Sequence, residues 1–280
     1  MKSVRQAVWI LGLMGVMVTA WSLLRPFLPH SDWAENNFQA NLIRLQAWQL
    51  DPRPVTVLVG SSLSGRLLPR YFESTSLGTV ANLGLDGSGP EAGLRLLLQS
   101  SNLPPLVLIE GHRLAKNWGT NDALLLEAIR SPQFMASQWV TGLRADVRPS
   151  SLLFSLLKRH SSGGGSATAT QDPASTFVFE TPIAGWEERL RHLIDRLRQR
   201  GIAVRLYRLP AGRESLAGDN APDFIADLAR AWGIPYLDVD GECKRRGLTL
   251  GYSDGLHLTA DAARKTAIVL SELNARVPLR

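Results

Sequence analysis

Short apolar runs recur along the chain and predict buried strands. The first run is 55–59 (VTVLV), which ends at Gly60. A run of about four to eight apolar residues bounded by turn residues is typical of a strand that is covered on both faces of its sheet. Runs of the same kind occupy 79–85, 106–110, 202–209 and 235–239. We therefore predict five strands.

Segments with apolar residues at helical spacing lie between these runs. They occupy 91–99, 186–200, 223–232 and 260–275, and a further one, 33–50, leads into the first strand. Strands that alternate with helices indicate a parallel sheet with helices on both of its faces. The predicted fold is α/β, a three-layer α/β/α sandwich around a five-stranded parallel sheet of the flavodoxin-like kind.

The N-terminal segment predicts a membrane anchor. Residues 6–24 carry no charge, and Lys2 and Arg5 precede them. A helix of about 20 apolar residues crosses the bilayer core, and positive charges before it favour a cytoplasmic N-terminus. A cleaved signal peptide is the alternative, because 18–20 (VTA) resembles a small-residue cleavage site. We expect a single-pass anchor; both alternatives place the remaining chain in the periplasm or outside the cell.

The expected domain organisation has three parts. Residues 1–29 form the anchor (or signal peptide), 30–50 form the leading helix, and 51–280 form one catalytic domain. The polar, glycine-rich stretch 161–176 is expected to be a flexible surface insertion in that domain. The segment 121–159 has helical character and is expected to form a cap beside the site.

Composition narrows the class of protein further. The apolar fraction of 45% excludes a disordered chain, and the single cysteine, Cys243, excludes an intramolecular disulfide and a cysteine-based zinc cluster. Lysine and arginine exceed the acidic residues by six, but they are spread along the chain, and aromatic residues make up only 7%. We therefore expect no nucleic-acid partner.

The turn after the first strand (60–67, GSSLSGRL) is the first candidate site, because ligands bind at the carboxyl ends of parallel strands. A phosphate-binding P-loop is disfavoured, since Arg66 and Leu67 replace its lysine and its serine or threonine. An α/β-hydrolase elbow is disfavoured as well, since Ser64 stands where its second glycine belongs. The remaining interpretations are a turn that presents Ser62 as a nucleophile and a plain tight turn with a helix cap.

A second candidate, Asp254 with His257, precedes the last predicted helix, which Thr259 is placed to cap. The spacing of three residues lets the carboxylate bind one imidazole nitrogen while the other nitrogen faces outward. A serine hydroxyl becomes a nucleophile when a histidine oriented in this way takes its proton. A loop histidine beside a capping aspartate is the alternative, but the pairing with Ser62 favours catalysis.

These motifs resemble the SGNH (GDSL-like) hydrolases. The first block of that family is similar to GSSL at 60–63, the second to NLGLDGS at 82–88, and the fifth to DGLH at 254–257. The resemblance implies that Ser62 is the nucleophile, that Asp254 and His257 complete a triad, and that the N–H groups of Ser62 and Gly87 bind the oxyanion. Ser61 replaces the usual aspartate, which is not the aspartate of the triad.

The third block departs from the family, which has Gly-x-Asn-Asp after the third strand. Here the third run continues into Glu110-Gly-His112-Arg, and a literal Gly-Thr-Asn121-Asp occurs only farther along the chain. His112 is the candidate by register for the third oxyanion donor. Asn121 is the alternative, and it requires the loop to fold back.

The resemblance implies a serine esterase or O-acyltransferase that acts outside the cytoplasm on an acylated carbohydrate or a related ester. No metal or organic cofactor is implied, and a membrane-bound acyl donor is a further expected partner. The alternative is an inactive SGNH-like binding or scaffold subunit of a polysaccharide export or modification complex, and the altered third block favours it. The triad is the same for an esterase and a transferase, so both remain open.

Overall fold

The computed structural model describes residues 2–24, 27, 34–50, 54–112, 114, 120–151, 153–154, 157, 184–212 and 222–278. The chain divides into two units, each built from segments that are distant in sequence. The first unit comprises Met1–Gln46 and Glu127–Val178, and the second comprises Ala47–Leu126 and Phe179–Arg280. The predicted boundaries at 29, 50 and 51 stay predictions, and the predicted insertion 161–176 lies outside the described residues.

A five-stranded parallel sheet forms the centre of the second unit. Its strands are β1 (Thr56–Ser61), β2 (Val80–Leu85), β3 (Leu106–Glu110), β4 (Ala203–Arg208) and β5 (Tyr236–Asp238). They lie in the order β2-β1-β3-β4-β5, and every neighbouring pair is parallel. All residues of β1 and β3 are buried, which accounts for the unbroken apolar runs in the sequence. The predicted five-stranded parallel sheet is confirmed.

Helices follow the strands in the alternation that the sequence predicts. The helices with defined bounds are α1 (Lys2–Leu24), α2 (Asn37–Leu50), α3 (Ser62–Gly65), α4 (Glu91–Gln99), α5 (Thr120–Ala128), α6 (Pro132–Ala136), α7 (Trp186–Gln199), α8 (Pro222–Trp232), α9 (Val239–Arg245) and α10 (Ala260–Ala275). Short 3-10 turns occupy Pro69–Tyr71, Thr141–Leu143 and Ala145–Val147. In its described parts, the segment 121–159 consists of short helices and 3-10 turns joined by turns, so its predicted helical character is confirmed in part.

Side chains alternate between the two faces of a strand, so the apolar strands place apolar side chains on both faces of the sheet. Helices cover both faces and bury these side chains. On one face α4 packs closely enough that Gly93 lies against Val59, and α7 and α8 extend this layer. On the other face Leu58 belongs to a buried cluster with Ala267 and Leu270 of α10. The carboxyl ends of the strands are thereby left as the edge at which loops meet.

In the first unit, the last turns of α1 pack against the 3-10 segments. Trp21 Nε1 donates to Val147 O at 2.7 Å, and Gly142 N donates to Ser22 Oγ at 2.9 Å. Many apolar side chains nearer its N-terminus, including Trp9 and Ile10, are exposed. Within the part of the chain that the structure describes, no helix combines the length and the apolarity that a membrane span requires. The predicted anchor therefore has no support from the structure and stays a prediction.

Gly84→Ala tests the close packing of β2 against α3. A β-carbon at this position would lie 2.3 Å from the nitrogen of Gly65 and 2.7 Å from the carbonyl carbon of Ser64. Because both atoms belong to the backbone, the strand or the turn has to move. We expect the free energy of unfolding to fall by about 1–3 kcal/mol, measured by thermal unfolding of the full chain.

Gly12→Ala is the control, since nothing lies within 4 Å of the place where its β-carbon would stand. Alanine also favours a helix over glycine, so this variant is expected to keep the wild-type stability. Equal unfolding temperatures for the two variants would contradict the packing of β2 on α3.

Candidate active site

Ser62 lies where β1 ends, as the first residue of the short helix α3. Ser61 before it has extended backbone angles and caps the helix, because its hydroxyl accepts a hydrogen bond from Leu63 N at 3.3 Å. Asn82 of the neighbouring strand binds the other end of the turn, where its amide donates to Ser64 O and Leu67 O, each at 2.7 Å. The turn is thus held at both ends, and Ser62 is half-buried between them.

The structure brings His257 to Ser62 although the two residues are 195 positions apart. His257 Nε2 lies 2.7 Å from Ser62 Oγ, and His257 Nδ1 lies 2.6 Å from Asp254 Oδ2. Both separations are within hydrogen-bond reach. Ser62, His257 and Asp254 therefore form one continuous chain of hydrogen bonds, which is the geometry that the sequence predicts for these three residues.

The carboxylate of Asp254 holds both the ring and the backbone of His257. Its Oδ1 accepts hydrogen bonds from Leu256 N at 3.1 Å and from His257 N at 2.7 Å, while Oδ2 faces the ring. Burial alone would raise the pKa of Asp254, but the hydrogen bonds from the backbone and ring of His257 and from Leu256 N lower it overall. Asp254 is therefore ionised at neutral pH and keeps one imidazole nitrogen as its donor.

The turn that carries Asp254 and His257 rests on the loop after β4. Gly212 N donates to Leu256 O at 3.3 Å, and a β-carbon on Gly212 would lie 1.3 Å from Gly255 O. Gly255 itself has φ +78°, a left-handed conformation that favours glycine. The two glycines let the backbones touch, and sequence reasoning missed this contact because it joins two irregular loops.

A buried carboxyl group, Glu110, lies beneath the serine turn. Its Oε2 accepts hydrogen bonds from Ser61 N at 3.0 Å, from Ser64 N at 2.9 Å and from the Ser64 hydroxyl, and its Oε1 accepts from Ser61 Oγ at 2.7 Å. Burial raises the pKa of Glu110, and the hydrogen bonds from Ser64 and Ser61 oppose this increase without cancelling it. Sequence reasoning took Glu110 only as the end of a strand.

The second-block turn is contacted by Asn121 and Asp122. Asn121 Nδ2 donates to Gly87 O at 3.1 Å, and Asp122 Oδ1 accepts from Gly89 N at 3.2 Å and from the Ser88 hydroxyl. Burial raises the pKa of Asp122, against the hydrogen bonds from Ser88 and Gly89. The chain therefore folds back onto the Gly87 turn, which Asn121 requires if it is to be the third oxyanion donor. The preceding Gly119 lies outside the described residues.

His112 occupies a different position from Asn121. Its side chain is buried, and its Nδ1 lies 3.8 Å from Glu110 Oε1. His112 thus adjoins the carboxyl group under the turn, whereas the amide of Asn121 adjoins the Gly87 turn. The two candidates for the third oxyanion donor lie in two different local networks.

A metal site or a second cavity elsewhere in the fold would also bear on where a ligand binds. Among the described residues, no group of three or more His, Cys, Asp or Glu side chains is placed to hold a metal ion. A cavity of about 830 Å³ lies at the start of β4 and β5, lined by 201–205 and 233–235 among others. These residues stand at the amino ends of the strands, so this cavity is separate from the Ser62 edge.

Comparisons with known proteins give little beyond this geometry. No protein-family model matches the chain, and no curated protein matches it. A solved structure to which it is similar is that of a protein from Bacteroides fragilis, provisionally assigned as an acylhydrolase. The identity is 16%, the match covers 88% of this chain and 100% of the other, and the TM-score is 0.40. A likeness at this score carries no argument about the activity.

Asp254→Asn tests how the carboxylate orients the imidazole of His257. Because two backbone N–H groups donate to Oδ1, the oxygen of the asparagine has to take that position, and its NH2 group then faces His257 Nδ1. The amide donates to Nδ1 and leaves the ring proton on Nε2, which can no longer accept the proton of Ser62. We expect the rate at which a serine-directed fluorophosphonate labels Ser62 to fall about a hundredfold or more.

The matched control is Asp261→Asn, which removes an exposed ion pair with Lys265 in the first turn of α10. We expect it to be labelled at the wild-type rate, since exposed pairs of this kind contribute little. If Asp254→Asn is labelled as fast as the control, Asp254 does not determine the state of the imidazole.

Proposed function

We propose that the protein is a serine-dependent acyl-ester hydrolase or O-acyltransferase. The observation that carries the proposal is the hydrogen-bonded chain from Ser62 Oγ through His257 to Asp254, with separations of 2.7 Å and 2.6 Å. A half-buried serine whose hydroxyl lies against a histidine, itself oriented by an ionised carboxylate, is the arrangement that activates an alcohol as a nucleophile.

In the proposed reaction, Ser62 Oγ attacks the carbonyl carbon of the ester while His257 Nε2 takes the hydroxyl proton. The tetrahedral intermediate collapses, the C–O bond to the leaving alcohol breaks, and His257 returns the proton to that alcohol. Water or a sugar hydroxyl then attacks the acyl carbon while His257 takes its proton. The bond from the acyl carbon to Ser62 Oγ breaks, and His257 returns the proton to Ser62. Water as the acceptor gives an esterase, and a sugar hydroxyl gives a transferase.

The developing oxyanion needs hydrogen-bond donors at the same edge of the sheet. We assign the backbone N–H groups of Ser62 and Gly87 to this role, and Asn121 as the third donor. Asn121 is favoured over His112 because its amide already contacts the Gly87 turn and has a second N–H group to offer. His112 lies beside Glu110 instead, which argues for a supporting position.

The substrate and location rest on the sequence. The resemblance of the GSSL, NLGLDGS and DGLH segments to the SGNH hydrolases favours an acylated carbohydrate or a related ester as substrate. The uncharged segment 6–24 behind Lys2 and Arg5 favours a single-pass anchor, with the catalytic unit in the periplasm or outside the cell. A membrane-bound acyl donor would be the natural partner of a transferase in that position.

A second candidate function is an inactive binding or scaffold subunit of a polysaccharide export or modification complex. The replacement of the third family block by Glu110-Gly-His112 is the observation that favours it. The hydrogen bond between Ser62 and His257 argues against it, because a scaffold has no need of an oriented base beside a serine.

Labelling with a serine-directed fluorophosphonate separates the two functions. We expect the wild type to react at Ser62 and Ser62→Ala to lose the label, because the probe reports a hydroxyl whose proton is taken by a base. Ser100→Ala is the control and should label as the wild type does, since the Ser100 hydroxyl donates to Asn102 O in an exposed turn. A wild type that does not label would favour the scaffold.

Release of acetate from acetylated sugars, with and without a sugar acceptor, then distinguishes hydrolysis from transfer.

The proposed location is tested by topology. With an uncleaved anchor, a reporter fused after Arg280 is expected to be active outside the cytoplasm, and the protein should remain in the membrane after washing with high salt. Release by salt would contradict the anchor. A mature N-terminus near Trp21 would instead indicate that the segment is a cleaved signal peptide.

A further inference from the structure

The carboxyl group of Glu110 has no part in the reaction proposed above, although it lies within hydrogen-bond distance of the serine turn. Glu110 is the last residue of β3, the strand that pairs with β1, and only 1% of its surface is exposed. Burying a carboxyl group costs free energy unless hydrogen bonds replace the lost water. A buried carboxyl group is therefore expected to accept hydrogen bonds that fix the conformation of neighbouring residues.

The hydrogen bonds of Glu110 go to the residues on either side of Ser62. Its two oxygens accept from the N–H and the hydroxyl of Ser61 and from the N–H and the hydroxyl of Ser64. Three of these four donors meet Oε2 and one meets Oε1, so both oxygens of the carboxyl group are engaged by the turn. Gly60 leaves the space for it, because a β-carbon there would lie 2.6 Å from Glu110 Oε2.

Which hydroxyl donates and which accepts in this network follows from the groups that donate to each serine. Burial and the adjacent Glu110 raise the pKa of Tyr207 well above its usual value, so its hydroxyl keeps its proton and donates to Ser64 Oγ at 2.5 Å. Ser64 then donates its own proton to Glu110. Leu63 N donates to Ser61 Oγ in the same way, and Ser61 donates to Glu110.

This network distinguishes three serines that lie within four residues of one another. The hydroxyls of Ser61 and Ser64 are buried and turned toward Glu110, whereas the hydroxyl of Ser62 faces His257. If Glu110 were absent, the N–H groups of Ser61 and Ser64 would lose their acceptor. The turn would then have to relax in order to find other partners, and Ser62 would move with it.

We propose that Glu110 is a positioning residue that fixes the serine turn through the N–H groups of Ser61 and Ser64, so that Ser62 alone is presented to His257. This inference rests on the proposed role of Ser62 as the nucleophile. It assigns the effect to the acceptor oxygens of Glu110 and not to the charge of the side chain.

Two substitutions separate the acceptor from the charge. Glu110→Met keeps the length of the side chain and removes both oxygens. Glu110→Gln keeps one oxygen, which can face the N–H groups of Ser61 and Ser64 while its NH2 group donates to the Ser61 hydroxyl. We expect kcat for an activated ester to fall about tenfold or more in Glu110→Met with little change in KM, and to remain within about threefold of the wild type in Glu110→Gln.

The matched control is Glu242→Met, which removes a carboxylate on α9 that pairs with Arg245 and Arg246. It is expected to lower stability without changing kcat per folded molecule, and circular dichroism measures the folded fraction of every variant. If Glu110→Met does not fold, Glu110→Asp takes its place, because a carboxyl group one methylene shorter cannot reach both N–H groups. A folded Glu110→Asp is expected to lose kcat as well.

The possible outcomes distinguish the inference from the proposed function. Wild-type kcat in folded Glu110→Met or Glu110→Asp would overturn the positioning role while leaving Ser62 as the nucleophile. An equal loss of kcat in Glu110→Gln and Glu110→Met would also overturn it, because the charge would then be the decisive property. A wild type without Ser62-dependent activity would overturn the proposed function, and the role of Glu110 would fall with it.

Discussion

The geometry of the candidate site depends on one hydrogen bond, between His257 Nε2 and Ser62 Oγ, which joins the turn after β1 to the loop before α10. Parallel strands bring these two loops to the same edge of the sheet, but the sheet alone does not bring the two atoms within 2.7 Å of each other. Local contacts do so: the carboxylate of Asp254 accepts from His257 N, and Gly212 packs against Gly255 of the same loop.

The same constraint explains why polar groups are buried around the turn. A turn with three serines offers three hydroxyls, and a reaction at one of them needs the other two to be occupied elsewhere. Glu110 and Tyr207 provide those partners from β3, which lies beside β1 in the sheet, and from β4, which lies beside β3. Burial of these groups costs free energy, which the hydrogen bonds offset, and the result is a turn with one defined conformation.

The sequence predicts those parts of this structure that depend on local patterns. Strand β3 and the helices α4 and α10 match their predicted bounds, because apolar spacing and caps such as Thr259 are local signals. Asp254 and His257 were accessible to sequence reasoning because three residues separate them. The role of Glu110 was not accessible, since its partners Ser61 and Ser64 lie in β1 and α3, distant in sequence, and a charged residue at a strand end has many explanations.

The central claim is that Ser62, alone among the serines of its turn, carries the acyl group. Reaction with an activated acetate ester at neutral pH, stopped by acid after a short time and followed by peptide mapping with mass spectrometry, tests this claim directly. The account predicts acetyl on Ser62 and none on Ser61 or Ser64, with the adduct absent in His257→Ala. Acetyl on Ser61 or Ser64, or an adduct that forms equally fast without His257, would contradict it.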